Sequence, residues 1–233
     1  MPSSSNPRLR PPFWRHDWYT LLRLRQEIEI ALNANRDCPS GGSVIDVGSG
    51  DAPYASLFED RGHRYVRCDL EGEVDALITP GQPIPLPDQS GDMVVSFQVL
   101  EHVWDLDWYL GECRRLLKPG GRLLISTHGT WLYHPHPTDF RRWTRDGLQK
   151  ELEIRGFEVT SVAAMLGPLA WTTQFRSLGY NEILRRFGPP GRLVSALLCS
   201  VMNARMVIED RVTPHGILST NAAVYLMTAR VSN

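Results

Sequence analysis

Apolar positions along the 233-residue chain change their spacing from one segment to the next. Over residues 16–35, Leu21, Leu22, Leu24, Ile28 and Leu32 recur as the stripe of a helix with one buried face. Ser40, Gly41 and Gly42 then break the chain. Short apolar runs at 44–47, 64–68 (ending at Asp69), 74–78 and 93–97 have the length of strands buried on both faces. Residues 80–87 hold four prolines and cannot form a regular element. The pattern then predicts a helix over 106–117, stopped by Lys118-Pro119-Gly120-Gly121, and a strand over 122–127. A helix over 146–155 ends at Gly156, a strand covers 157–163, and a last strand covers 222–231. Between those two strands, 172–187 and 192–208 read as helices separated by Pro189, Pro190 and Gly191. Strands alternating with helices predict an α/β chain: a mostly parallel sheet with helices on both faces. Ligands of such sheets bind at the carboxyl ends of the strands, where Gly48, Asp69, Phe97 and His128 fall.

The first strand runs into Asp46-Val47-Gly48-Ser49-Gly50. Two glycines two apart let the backbone turn sharply and let a ligand approach where a Cβ would clash. A helix-compatible run follows, so the turn is a nucleotide-type binding edge. The sixth position of a G-x-G-x-x-G fingerprint falls on Pro53, which argues against a dinucleotide pyrophosphate. Asp46 beside the turn suits a cationic ligand. Asp69, about twenty residues further on, is placed to accept from both hydroxyls of a ribose, or else to cap a turn.

These residues resemble a known family. Asp46 to Gly50 is similar to motif I of class I S-adenosylmethionine-dependent methyltransferases. Ile84-Pro85-Leu86-Pro87-Asp88-Gln89-Ser90-Gly91-Asp92, Val99-Leu100-Glu101-His102-Val103 and Leu117-Lys118-Pro119-Gly120-Gly121 resemble signatures of its type 11, ubiquinone-biosynthesis-like group, in order and at the family's spacing. The resemblance covers about residues 40–165. It implies a Rossmann-like sheet of seven strands with the last antiparallel, and S-adenosyl-L-methionine as cofactor. Asp46, Gly48, Ser49, Gly50, Asp69, Leu70, Ile78, Thr79, Phe97 and Gln98 would form its site. In many relatives an acidic residue contacts the adenine amine; residues 79–83 lack one, which leaves backbone groups near Ile78 and Thr79 for that task. Glu101 and His102 read as structural, orienting their loop.

The loop at 128–144 resembles a subgroup pattern through His134, Pro137, Asp139, Phe140, Arg142, Trp143 and Thr144. If the acceptor is a hydroxyl, a base must take its proton, and a histidine suits this. His134 and His136, then His128, are the candidates; pinning of the loop by His134 and Asp139 is the structural alternative, with Thr144 capping the next helix. Trp131, Tyr133 and Trp143 offer a wall for an apolar or sugar acceptor, or loop packing. No acid-rich set of oxygen ligands accompanies the histidines, so no metal is expected. The implied reaction is methyl transfer to a small-molecule, sugar or glycan acceptor, at oxygen. The alternatives are carbon methylation of a quinone or isoprenoid and a non-catalytic S-adenosylmethionine-binding module.

Composition narrows the rest. A net charge of −1 gives no electrostatic case for nucleic acid. Cys38, Cys68, Cys113 and Cys199 lie far apart without metal-ligand spacing, which fits reduced thiols and a cytoplasmic protein. Residues 1–15 read as a flexible tail with no signal-peptide core, ahead of a single domain over 16–233. Residues 167–220 form a helical insertion: a packing accessory, or a lid or surface for a lipid or second subunit. Their longest apolar run, 193–202, is too short to span a bilayer, so no transmembrane segment is expected. Oligomeric state is open at this point.

Overall fold

In the computed structural model, residues 6–34 and 41–232 are described. Asn35, Ser40 and Cys38, named above, lie outside them, as do the first five residues of the expected tail.

Seven strands form one sheet: β1 (Ser43–Val47), β2 (Arg64–Asp69), β3 (Ala76–Leu77), β4 (Gly91–Phe97), β5 (Leu117–His128), β6 (Phe157–Met165) and β7 (Val224–Val231). Their order is β3-β2-β1-β4-β5-β7-β6. The first five run parallel; β7 is antiparallel to both β5 and β6. The fold is therefore the Rossmann-like α/β sheet with its last strand antiparallel. Strand order reverses between β1 and β4, and this switch point opens a crevice at the carboxyl ends. β1 and β4 are almost wholly buried, which explains their unbroken apolar sequences.

Helices cover both faces: α1 (Trp18–Ala34), α2 (Ala55–Glu59), α3 (Leu106–Leu116), α4 (Arg145–Glu153), α5 (Pro168–Leu184), α6 (Gly188–Val212) and α7 (His215–Thr220). On one face α3 buries Leu106, Tyr109, Leu110, Cys113 and Leu116 against β4 and β5. On the other, α1 buries Leu24, Ile28 and Leu32 in a core with Val44, Val95 and Leu124. Side-chain caps fix two starts: Asp105 accepts from the Trp108 N–H and Thr144 from the Gly147 N–H.

Three expectations are corrected. The break at Lys118–Gly121 lies inside β5, because the ladder to β4 resumes around an irregularity: Gly91 pairs Leu117 and Met93 pairs Arg122. Pro189 and Pro190 do not end a helix. They sit in the first turn of α6, where a missing N–H costs no intrahelical bond, and a 3-10 turn, Arg185–Phe187, links it to α5. Nor are residues 6–15 a loose tail. Leu9 is buried; the Asn203 side chain donates to the carbonyls of Phe13 (2.6 Å) and Arg15 (2.9 Å), and Gln174 to that of His16 (2.7 Å). Polar side chains of the α5–α6 hairpin thus hold the backbone of this segment.

Candidate active site

The switch point opens into a cavity of about 1070 Å³. Its floor is the glycine turn. The N–H groups of Gly48 and Ser49 donate to the Cys68 carbonyl at 2.8 and 3.0 Å, which ties the turn to the end of β2. Gly48 has φ +85°, and a Cβ there would stand 2.6 Å from both methyl groups of Val99. Gly50, at φ +54°, has open space where a Cβ would be, so a ligand can lie against the bare backbone. Asp69 closes this end: one carboxylate oxygen accepts from the Gly50 N–H (2.5 Å) and the other from the Leu70 N–H (2.6 Å).

Gly48, Ser49, Gly50, Asp69, Leu70, Ile78, Phe97 and Gln98 all line the cavity. Asp46 and Thr79 do not, and Pro80 and Gly81 stand beside Ile78 in the wall instead. Asp46 lies behind the turn. Its Oδ2 accepts from the Tyr65 hydroxyl at 2.5 Å, while its buried Oδ1 has no partner. Burial, with Asp69 nearby, pushes its pKa up to about 7 against the opposing bond from Tyr65. The buried Ser49 hydroxyl is also without a partner. Gln98 follows β4 with φ +59°, a left-handed backbone unusual for a side-chain-bearing residue; its N–H is held by the Ser126 carbonyl at 2.9 Å.

His128, His134 and His136 line the opposite wall, joined by His102, which sequence reasoning had given to loop orientation. His128 ends β5. Its ring stacks on Trp131 at 4.8 Å, and its Nδ1 lies 2.7 Å from Glu101 Oε1, neither atom having another partner. Glu101 is fully buried; its other oxygen accepts from the Thr127 hydroxyl at 2.8 Å. Burial raises the Glu101 carboxyl, but His128, its own backbone N–H and Thr127 together hold it below the ordinary glutamate value. His102 Nδ1 donates to the Thr138 carbonyl. Ligand atoms of Glu101, His102 and His134 converge within 4.8 Å of one another.

His134 sits among three other imidazoles, 4.8 Å from the ring of His136 and 5.2 Å from that of His102. Burial first, then the neighbouring histidines, lower its pKa to about 4, so it is uncharged and weakly basic at neutral pH. Asp139 does not orient the ring. It accepts from the His134 backbone N–H at 2.8 Å and from Arg142 at 2.5 and 2.6 Å. Arg142 in turn donates to the Leu132 carbonyl at 2.7 Å, so this pair pins the loop. Of the three aromatic candidates, only Trp131 lines the cavity; Trp143 is buried in the core and Tyr133 is exposed.

The N-terminal segment adds Arg8, Arg15, His16 and Asp17 to the wall. Sequence reasoning missed them, although Phe13, Trp14 and Trp18 near two prolines are poor material for a disordered tail.

A family profile described as a methyltransferase domain matches residues 45–125. A Mycolicibacterium smegmatis protein named "Probable S-adenosylmethionine-dependent methyltransferase" is 34% identical over 189 residues, covering 74% of this chain and 68% of that one. The chain belongs to the S-adenosylmethionine-dependent methyltransferases. Among these methyltransferases, the ubiquinone biosynthesis O-methyltransferase of Dinoroseobacter shibae is 30% identical over 203 residues, 69% of this chain and 81% of its own. In fold the chain also resembles the [4+2]-cyclase SpnF: TM-score 0.58, 16% identity, 90% of this chain and 82% of that one. A likeness at that identity speaks for architecture alone. The cofactor of a methyltransferase fits what the turn presents: a cation for the unpartnered Asp46 oxygen behind it, and hydroxyls for the Asp69 carboxylate.

Proposed function

We propose that this methyltransferase transfers the methyl group to a hydroxyl oxygen of a small-molecule acceptor, a sugar or glycan-type molecule included, with His128 as the base. The observation that carries this reading is the Glu101–His128 pair. A buried carboxylate 2.7 Å from Nδ1 sets the imidazole tautomer and leaves Nε2 as the proton acceptor in the same cavity as the glycine turn. His134, held near pKa 4, is a poorer base at neutral pH, and exposed His136 has no carboxylate to orient it. The similarity to an enzyme named for O-methylation supports oxygen as the atom.

S-Adenosylmethionine supplies an electrophilic methyl group on a sulfonium. The chain's residues do the rest. Gly48 to Gly50 and Asp69 hold the donor, and Arg8 and Arg15 offer positive charge to its carboxylate. Trp131 and His134 shape the acceptor side. As the acceptor oxygen bonds to the methyl carbon and the carbon–sulfur bond breaks, Nε2 of His128 takes the hydroxyl proton. Glu101 stabilises the imidazolium that results. S-Adenosylhomocysteine and the methyl ether leave.

The test is transfer of labelled methyl to a panel of phenols, sugars and quinols. His128→Gln should bind S-adenosylhomocysteine as the wild type does and lose about 100-fold or more of turnover. Undiminished turnover excludes His128 as the base. A product methylated at carbon or nitrogen excludes the hydroxyl acceptor.

A further inference from the structure

The α5–α6 hairpin is built inside out. On α6 the residues turned to the protein are Ser195, Cys199 and Asn203, small or polar, and on α5 they are Thr173, Gln174 and Ser177. The stripe turned outward on α6 is Leu193, Leu197, Val201, Ile208 and Val212, at helical spacing and each more than half exposed. A water-facing helix shows the reverse arrangement. The polar inner face has a reason, since Gln174, Ser177 and Asn203 hold the backbone of residues 13–16. The outer apolar stripe has none within the chain. By length and composition Pro168–Val212 is apolar enough to enter a membrane, yet only 28% of its most apolar window is buried. Apolar surface of this extent on a soluble chain marks a contact with something else.

Charge indicates what that is. From residue 183 to 208 there are four arginines, Arg185, Arg186, Arg192 and Arg205, and no Asp or Glu, in a chain whose net charge is −1. Arg185 and Arg186 lie at the hairpin bend beside exposed Phe187, and Arg192 opens the apolar stripe. Arginines around an apolar helical face match an anionic bilayer surface, where the stripe enters the acyl boundary and guanidinium groups meet headgroup phosphates. A second copy of the chain offers less: the carboxylates at the far end of α6 are engaged, Glu209 with Thr173 and Arg205, and Asp210 with Tyr19 and the Gly167 N–H.

We infer that the outer face of the α5–α6 hairpin docks this protein peripherally on an anionic membrane. The inference is independent of the acceptor and is tested without turnover. The full chain is floated with vesicles of phosphatidylcholine and phosphatidylglycerol in equal parts, and with vesicles of phosphatidylcholine alone. Binding is expected to the anionic vesicles, to weaken with added salt, and to fall about tenfold or more in Leu197→Glu/Val201→Glu, where two charges enter the apolar stripe. S-Adenosylhomocysteine titration verifies that this variant is folded. If it is not, Arg185→Gln/Arg192→Gln, altered only at exposed positions, must still lose binding to the anionic vesicles. Wild-type protein that stays with neither vesicle overturns the inference, as does binding that both variants retain. A concentration-dependent dimer that Leu197→Glu splits, with no vesicle binding, assigns the face to a second copy instead.

Discussion

Asp69 carries the sharpest test of the cofactor site. Its two oxygens accept from the Gly50 and Leu70 N–H groups at 2.5 and 2.6 Å, so the carboxylate is fixed before any ligand arrives. Its remaining lone pairs face the cavity, where a ribose would meet them. Asp69→Ala removes those acceptors and also frees the Gly50 N–H that steadies the turn. A hydrogen bond to a charged group contributes about 1.5–3 kcal/mol, and this site is solvent-accessible, so the low end applies to each bond. The summed loss of about 1.5–3 kcal/mol corresponds to roughly 10- to 100-fold weaker binding. Asp69→Asn keeps one oxygen acceptor and should lose roughly half of that free energy. Calorimetric titration with S-adenosylhomocysteine reads the affinities, and a thermal melt without ligand reads the turn's contribution to stability. If folded Asp69→Ala binds within roughly threefold of the wild type, a change of only about 0.6 kcal/mol, the carboxylate belongs to the turn alone and the ribose assignment is wrong.

Other outcomes follow from the same geometry. Glu101→Gln should lower kcat by about 10- to 100-fold with little change in S-adenosylhomocysteine affinity, because it misorients His128 without touching the glycine turn; an unchanged kcat removes Glu101 from the proton path. Asp139→Asn should lower the melting temperature by about 4–8 °C, the effect of losing about 2 kcal/mol in a chain of this size, since Arg142 then loses its charged partner; an unaltered melt means that the loop is held without this pair. Asp46, raised to about 7 in the fold, binds more protons folded than unfolded between about pH 4 and 7, so its contribution to stability is present below that window and lost as pH rises through it. His134, lowered to about 4, has the opposite slope, so the measurement is the difference between wild type and Asp46→Asn, which should shrink from pH 5 to pH 8; a pH-independent difference refutes the buried, proton-holding Asp46. A chelator should leave turnover unchanged, because His128 engages Glu101 Oε1 and the Thr138 carbonyl engages His102 Nδ1; activity lost and restored by zinc would make Glu101, His102 and His134 ligands.

The sheet was legible because its central strands are buried on both faces, which forces the unbroken apolar runs seen at 44–47 and 93–97. Edges were harder. β3 is two residues long, and the run at 74–78 overstated it because pairing with β2 stops at Leu77. Prolines misled at both places where they were taken as stops. At Pro119 the ladder closes around the irregularity, and at Pro189 the ring occupies the one helical turn that tolerates it. Neither exception shows in local propensity, since both depend on what the neighbouring chain supplies.

The two halves of the site differ in legibility for a physical reason. Cofactor contacts come largely from backbone that a short motif determines, so Gly48 to Gly50 and Asp69 could be placed from spacing alone. The chemistry depends on side chains brought together from β5, the turn after β4 and the N-terminal segment. No spacing reveals that Glu101 faces His128 rather than orienting its own loop, or that Asp139 holds a backbone N–H rather than a ring. The polar residues of the hairpin did carry a signal. Gln174, Ser177 and Asn203 recur on inner faces while leucines and valines recur outside, and buried polar groups need partners. Their partners are the carbonyls of Phe13, Arg15 and His16, which is why the segment read as a tail closes over the cavity and why the apolar side of the hairpin is left to face outward.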